Sequence, residues 1–322
     1  MKYYYAPMEG ATTYCYRRAH CRYFGGVDKY YVPFISPTQD HLFTKRELRE
    51  LLPEQNEGIP TVPQLLTKRA EDFIWAAGEL EKMGYPEVNL NAGCPSATVV
   101  TKGKGSGMLK DPAALDAFLE QVFSAGLNID ISVKTRLGME DDEEFWDILE
   151  VYNRYPISQL TIHPRVKKDL YKGRARREMF AQAQKRSKNP LCYNGDLVTA
   201  QQCRELELEM PGVEAVMLGR GLLADPALAA KAAGGAGANK DAIGGFVDEV
   251  YSTYCRDFES ARNAMLRMKE VWFYLIHLFE DSAGYAKKLK KTTEHKVYEQ
   301  LVREILRDLE LKPDLDKDVF QK

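Results

Sequence analysis

Short apolar runs alternate with helix-period stretches eight times between residues 2 and 218. The runs Lys2–Met8, Lys29–Ile35, Ile59–Leu66, Val88–Asn91, Ile129–Thr135, Gln159–His163, Leu191–Asn194 and Val213–Leu218 are four to eight residues long and most are bounded by Pro, Gly or Asn, as buried strands are. Between them, Lys68–Met83 carries Phe73, Ala76, Ala77, Leu80 and Met83 at helical spacing. Asp111–Pro112 is a cap-then-proline helix start, followed by Leu115, Phe118, Leu119 and Val122 on one face. The same patterning predicts helices over 11–25, 44–52 with its cap at Thr44, 141–152 and 199–208. Eight strand-helix repeats predict a (β/α)8 barrel, in which functional groups gather at the C-terminal strand ends. No GxGxxG follows the first strand, which disfavours a dinucleotide-binding doubly wound sheet.

Beyond the eighth strand the pattern changes. Ala232–Gly245 is rich in Gly and Ala and reads as a linker. Phe246–Leu311 contains no strand signal and predicts three or more helices, among them 264–279 and 293–309. The expected organisation is a catalytic barrel over residues 1–235 and a small C-terminal helical domain over 246–322, with a frayed tail after Pro313.

Composition narrows the class. The 322 residues contain no apolar run of membrane-spanning length, and MKYYYAPMEG lacks the apolar core of a secretory signal, so a soluble cytoplasmic chain is expected. Six scattered cysteines without a CxxC pair suit reduced thiols and give no metal site. A net charge of -2 argues against indiscriminate nucleic-acid binding, yet Arg165–Arg177 holds seven basic residues and one acidic, and Lys287–Lys291 forms a second basic cluster.

The strand ends carry the chemistry. Cys94 follows the fourth strand in AGCPS, where Gly93 and Pro95 turn the chain out of the sheet, with Asn91 three residues upstream. Gly103, Gly105 and Gly107 then alternate with Lys102 and Lys104 in a loop suited to a flat or anionic ligand. Gln64 interrupts an apolar strand, and Lys134 sits on another, where an unpaired ammonium is unfavourable unless a ligand answers it. His163, the Asn194–Gly195–Asp196 turn and Gly219–Arg220 end later strands. The plainer readings are a small buried Cys94, a Gln64 amide satisfied by neighbouring backbone, and basic runs that are solvated faces.

NLNAGCPSATVVTKGKGSGMLKDP resembles the signature of the tRNA-dihydrouridine synthase family, and YAPMEG, VPQL, VKTRLG, TIHPR, YNGD and MLGRGLLADP resemble its other blocks in the same order. The resemblance implies an FMN-dependent barrel enzyme that reduces the 5,6 double bond of uridine in tRNA with NADPH, or NAD(P)H more broadly, as reductant. It implies Cys94 as the acid that protonates C5; free thiols titrate at about 8.5 and so carry a proton at neutral pH. Carried over by motif, the cofactor contacts are Pro7, Met8, Gln64, Lys134, His163, Asn194, Gly195, Asp196, Gly219 and Arg220. Asn91 is the implied contact to the target base, and Arg165, Arg174, Arg176 and Arg177 are the expected contacts to tRNA phosphates. A monomer without membrane contact is expected. Ala92, Gly107 and Pro164 depart from the residues usual in the family. The competing expectations are a related barrel flavoenzyme that reduces a small-molecule C=C bond, and a non-catalytic RNA-binding barrel.

Overall fold

Eight staves close into a barrel because the third is split by a proline. The computed structural model describes residues 1–321 and contains β1 (Lys2–Tyr5), β2 (Lys29–Tyr31), β3 (Thr61–Val62), β4 (Gln64–Leu65), β5 (Glu87–Ala92), β6 (Asp130–Arg136), β7 (Leu160–His163), β8 (Leu191–Tyr193) and β9 (Ala215–Leu218). All pairings are parallel, in the order β3-β2-β1-β9-β8-β7-β6-β5-β4. The two outermost members are consecutive in the chain, separated only by Pro63, which has no N–H to give. Its carbonyl still accepts from the Asn89 amide at 2.8 Å, so the ring is continuous there. The expected (β/α)8 architecture is the observed one.

The side-chain alternation is that of a barrel wall. Tyr4, Ala6, Tyr31, Val62, Cys192, Ala215 and Met217 pack together inside. Tyr3, Tyr5, Tyr30, Val88, Leu90 and Val133 belong to the larger cluster shared with the surrounding helices. Those helices are α1 (Tyr14–Tyr23), α2 (Lys45–Leu51), α3 (Ala70–Lys82), α4 (Ala97–Val100), α5 (Pro112–Ser124), α6 (Glu144–Tyr152), α7 (Arg177–Arg186), α8 (Ala200–Glu209), α9 (Arg220–Ala224) and α10 (Leu228–Ala232). Thr44 caps α2 and Asp111 caps α5, as their side-chain oxygens imply.

The C-terminal part is helical: α11 (Lys240–Phe258), α12 (Ala261–Leu275), α13 (Ala283–Lys291) and α14 (His295–Asp308). Here the structure corrects two expectations. The small-residue stretch 232–245 is a linker only over 233–239, because Asn239 caps α11 and Ile243, Phe246 and Val247 already bury its inner face. Gly245 serves packing: a Cβ there would lie 2.5 Å from the Tyr23 ring, so α11 sits against α1 with the ring in this position only because residue 245 has no side chain. Phe246 then meets Tyr16 and Phe24 edge-on, with ring centroids 5.1 and 5.4 Å apart. The second correction concerns the tail, which is docked rather than frayed. Leu315 is buried, Lys231 pairs with Asp314 at 2.7 Å, and the Phe320 ring packs on Tyr274 and His277 with centroids 5.6 Å from each. Two apolar anchors hold a segment whose overall polarity suggests solvent.

Phe246→Ala removes the fully buried aromatic that joins the barrel to α11. It is expected to lower the unfolding free energy by about 3–5 kcal/mol. Denaturant titration followed by circular dichroism measures this, and a loss below about 1 kcal/mol would mean that the α1–α11 contact contributes little.

Candidate active site

The C-terminal strand ends bring ten of the expected residues, or their immediate neighbours, around one hollow or onto the same rim. Pro7, Met8, Lys134, His163, Arg165, Asn194, Gly195, Asp196, Gly219 and Arg220 line a cavity of about 100 Å³, with Tyr171 beside them. This is below the about 300–1,000 Å³ of a complete small-ligand pocket. It suits one end of a ligand, such as a phosphate or the polar edge of a ring. Larger hollows lie elsewhere, including one of about 630 Å³ at the opposite, N-terminal rim beside Lys29, Tyr85 and Glu87, away from all the strand-end groups.

Positive charge dominates the hollow. Lys134 projects from β6, and among the described residues its ammonium makes no hydrogen bond or ion pair. Burial, reinforced by Arg136, pushes its pKa down to about 8. His163 ends β7 and is buried; burial first, then Arg136, Lys134, Arg165 and Arg220, hold it well below the usual imidazole range. Arg165 Nη1 lies 2.9 Å from His163 Nε2. A guanidinium only donates, so Nε2 must accept and the ring proton sits on Nδ1, the tautomer that presents a donor.

Asp196 organises the cations. It adopts φ 48°, a left-handed conformation that aspartate tolerates better than most residues. One carboxylate oxygen accepts from Arg165 Nη2 at 2.6 Å and from the Ala175 amide at 2.8 Å, and the other accepts from Arg220 Nη2 at 3.3 Å. Arg220 also donates to the Phe320 carbonyl at 3.2 Å and lies between the Tyr171 and Phe320 rings, 5.5 Å from each. Asn194 donates to the Met217 carbonyl at 2.7 Å. A Cβ on Gly219 would stand 3.3 Å from Met8 Sδ, so the glycine keeps the floor of the hollow close to β1.

Cys94 stands on the same rim. Asn91 is in register with Lys134, and Arg136 with His163, across adjacent strands. The Asn91 side-chain oxygen accepts from the Gly93 and Cys94 amides at 3.1 and 2.9 Å, which sets the turn that presents the thiol. Behind it the Ser106 amide and hydroxyl both donate to the Cys94 carbonyl at 3.0 Å. Gly105, at φ 58°, leaves room for that carbonyl, which a Cβ would approach to 2.7 Å. Arg136 Nε donates to the Gly93 carbonyl at 3.0 Å from the other side. The thiol itself is partly exposed.

Some expected sites stand differently. Gln64 is fully buried inside the barrel, donating to Asn89 at 2.8 Å and accepting from Asn91 at 2.9 Å, so its amide is satisfied by the protein. Arg165, expected at an RNA surface, is 1% exposed and committed to Asp196, His163 and the Lys172 and Gly173 carbonyls. Its guanidinium is held inside the protein and not on an outer surface. Arg176 pairs with Asp142 and Asp169, and Arg177 with Glu209. Arg174, whose side chain is 80% exposed, has only a 3.9 Å approach to Asp318. Two residues escaped the sequence reading. Arg136 follows Lys134 by two, the spacing that puts both on one face of a strand. Tyr171 is the one aromatic residue in the basic run and lies over Arg136 at 5.3 Å.

Arg165→Met is expected to destabilise the chain by about 3 kcal/mol, because Asp196 loses its closest cation at a nearly buried position. Arg174→Ala should stay within about 0.5 kcal/mol of the parent. Urea unfolding distinguishes them, and equal stabilities would show that Arg165 is not the structural cation it is taken to be here.

Comparison with known proteins places this geometry. The model of the family described as "Dihydrouridine synthase (Dus)" matches residues 4–321. "Probable tRNA-dihydrouridine synthase 1" of Synechocystis sp. is 32% identical over 227 residues, 69% of this chain and 62% of that protein, so the match spans less than two thirds of the relative. "tRNA-dihydrouridine(16) synthase" of Aquipseudomonas alcaligenes is 32% identical over 70% of this chain and 72% of its own length. Among solved structures, morphinone reductase superposes with TM-score 0.52 at 15% identity over 76% of this chain and 88% of its own. 2-Naphthoyl-CoA reductase superposes with TM-score 0.56 at 12% identity over 72% of this chain and 50% of its own. At those identities the two structures share the barrel fold. With its family model running almost end to end, and with the thiol and the cationic strand ends on one rim, this chain belongs to the dihydrouridine synthase family.

Proposed function

We propose that this chain is an FMN-dependent tRNA-dihydrouridine synthase that reduces the 5,6 double bond of a uridine in tRNA, with NADPH as the reductant. The observation that carries this reading is the pairing on adjacent strand ends of a partly exposed thiol, Cys94, with an ammonium, Lys134, that the protein leaves unanswered.

The hollow fits a flavin mononucleotide by its donors. Lys134 and the Nδ1–H of His163 suit the acceptor edge of a ring, while Arg220, beside Gly219, suits a phosphate. Pro7, Met8, Asn194, Gly195 and Asp196 would form the walls; Gln64 would contribute from behind, through Asn91. FMN held there would supply the hydride equivalent that reduction of the uracil 5,6 bond requires. Cys94 Sγ gives its proton to C5, so hydride and proton together saturate the bond, and the thiolate regains a proton from water. Asn91 holds the thiol's turn, and its amide is already bonded to Gln64 and to the Gly93 and Cys94 amides, so a contact to the base would fall to its remaining N–H.

The target uridine must leave its stack to reach this rim. We assign residues 1–235 to catalysis and the C-terminal helices, which begin with α11 at Lys240, to holding tRNA. Arg174 is the candidate phosphate contact of the basic run; Arg176 and Arg177 would first have to exchange their carboxylate partners. The enzyme is assigned to the cytoplasm as a monomer, and no helix among the described residues is long and apolar enough to cross a membrane.

Cys94→Ala should retain FMN and its reoxidation by oxygen yet lose reduction of tRNA by about 100-fold or more. Mass-spectrometric mapping of dihydrouridine in tRNA incubated with parent and variant reads this and locates the uridine. An active variant would remove the thiol from the chemistry.

The pH dependence follows from Lys134. Its folded pKa of about 8 is below the ordinary lysine value, so the flavin-free protein carries the charge below pH 8 and loses it above. FMN affinity that uses the ammonium should be level below pH 8 and fall by up to about tenfold per pH unit above it. His163, held neutral, adds no break near pH 6. Fluorescence-quenching titrations with Lys134→Met should show weaker binding and no break at 8; a break that persists would assign it to another group.

A further inference from the structure

A second hollow, of about 410 Å³, lies between α12 and α13, within the about 300–1,000 Å³ range of small-ligand sites. Its walls are apolar: Phe273, Ile276, Leu289 and the edge of the buried Trp272. Phe273 is 63% exposed, a large aromatic left in water that folding does not require there. The rim is basic. Lys287 and Lys290 border it, no acidic residue lines it, and among the described residues neither ammonium forms an ion pair.

Lysines in the last turn of α13 complement the helix dipole whatever else they do. The dipole does not account for an aromatic slot beside them, nor for Lys287 a turn earlier. Lys269 donates to the Lys290 and Thr292 carbonyls, so it staples the end of α13 to α12 and holds the slot open. The hollow also connects with the rim: His277 lines it and packs on Phe320, which lies over Arg220.

We propose that this groove receives one unstacked nucleotide of the RNA substrate, its base against Phe273 and Ile276 and its flanking phosphates on Lys287 and Lys290. The proposal rests on the tRNA-reductase reading above and adds a second anchoring point to it. An aromatic platform accepts any base, because every base has a π face, so the slot grips a strand without reading its sequence.

The test uses full-length FMN-loaded protein and total tRNA. Phe273→Ala should weaken tRNA binding about tenfold, with flavin content and the salt dependence of binding unchanged. Lys287→Gln/Lys290→Gln should weaken binding and reduce the slope of log affinity against log salt by about 1.4. Both variants binding tRNA as the parent does would overturn the proposal. So would a Phe273→Ala protein that binds tRNA normally but sediments as a smaller species, which would make the groove a contact between copies of the chain. A parent that neither binds nor reduces tRNA removes the proposed function itself, whereas normal reduction by both variants removes the slot alone.

Discussion

Repulsion among cations is the constraint from which this rim is built. Lys134, Arg136, Arg165 and Arg220 all act on His163, and Asp196 is the carboxylate bonded to two of them. The protein answers the excess in three ways. Arg165 and Arg136 are pinned by backbone carbonyls, Tyr171 lies against Arg136 and Arg220, and Asp196 takes a left-handed turn to face two guanidiniums at once. What remains unanswered is the Lys134 ammonium and part of Arg220. A site with that residue of positive charge favours an anion or a polarised carbonyl, and disfavours a neutral apolar ligand.

The barrel geometry makes the crowding specific. Parallel strands in register deliver Asn91, Lys134, Thr161 and Cys192 to neighbouring positions around the ring, and their C-terminal extensions deliver Cys94, Arg136, His163 and Asn194 to its mouth. Groups with opposed requirements therefore meet without any one loop having to fold around a ligand. The thiol's turn is braced by Asn91 from its own strand, by Arg136 from the next and by Ser106 from the following loop.

Much of this was legible in the sequence because periodicity is a local signal. The eight strands and their polar ends followed from alternation and from the glycines and prolines after it. What escaped depends on contacts between distant residues. The glycines near 245 have the composition of a linker, and only the Tyr23 ring, far away in the chain, shows that they are a packing surface. The run Arg165–Arg177 counts as a basic patch, yet Asp142, Asp196 and Glu209 from other elements take up three of its arginines. Gln64 is unusual in its strand and ordinary in the barrel, where two asparagines complete it. The tail after Pro313 looked free because its two anchors, Leu315 and Phe320, are far apart among charges.

The seating of α11 on Tyr23 has a consequence for how the C-terminal helices and the barrel are joined. A side chain at 245 would have to displace the Tyr23 ring, and Phe246 packs edge-on against Tyr16 and Phe24, so α11 and the barrel wall share one apolar core. A change in that core is therefore felt by the barrel and the helices together.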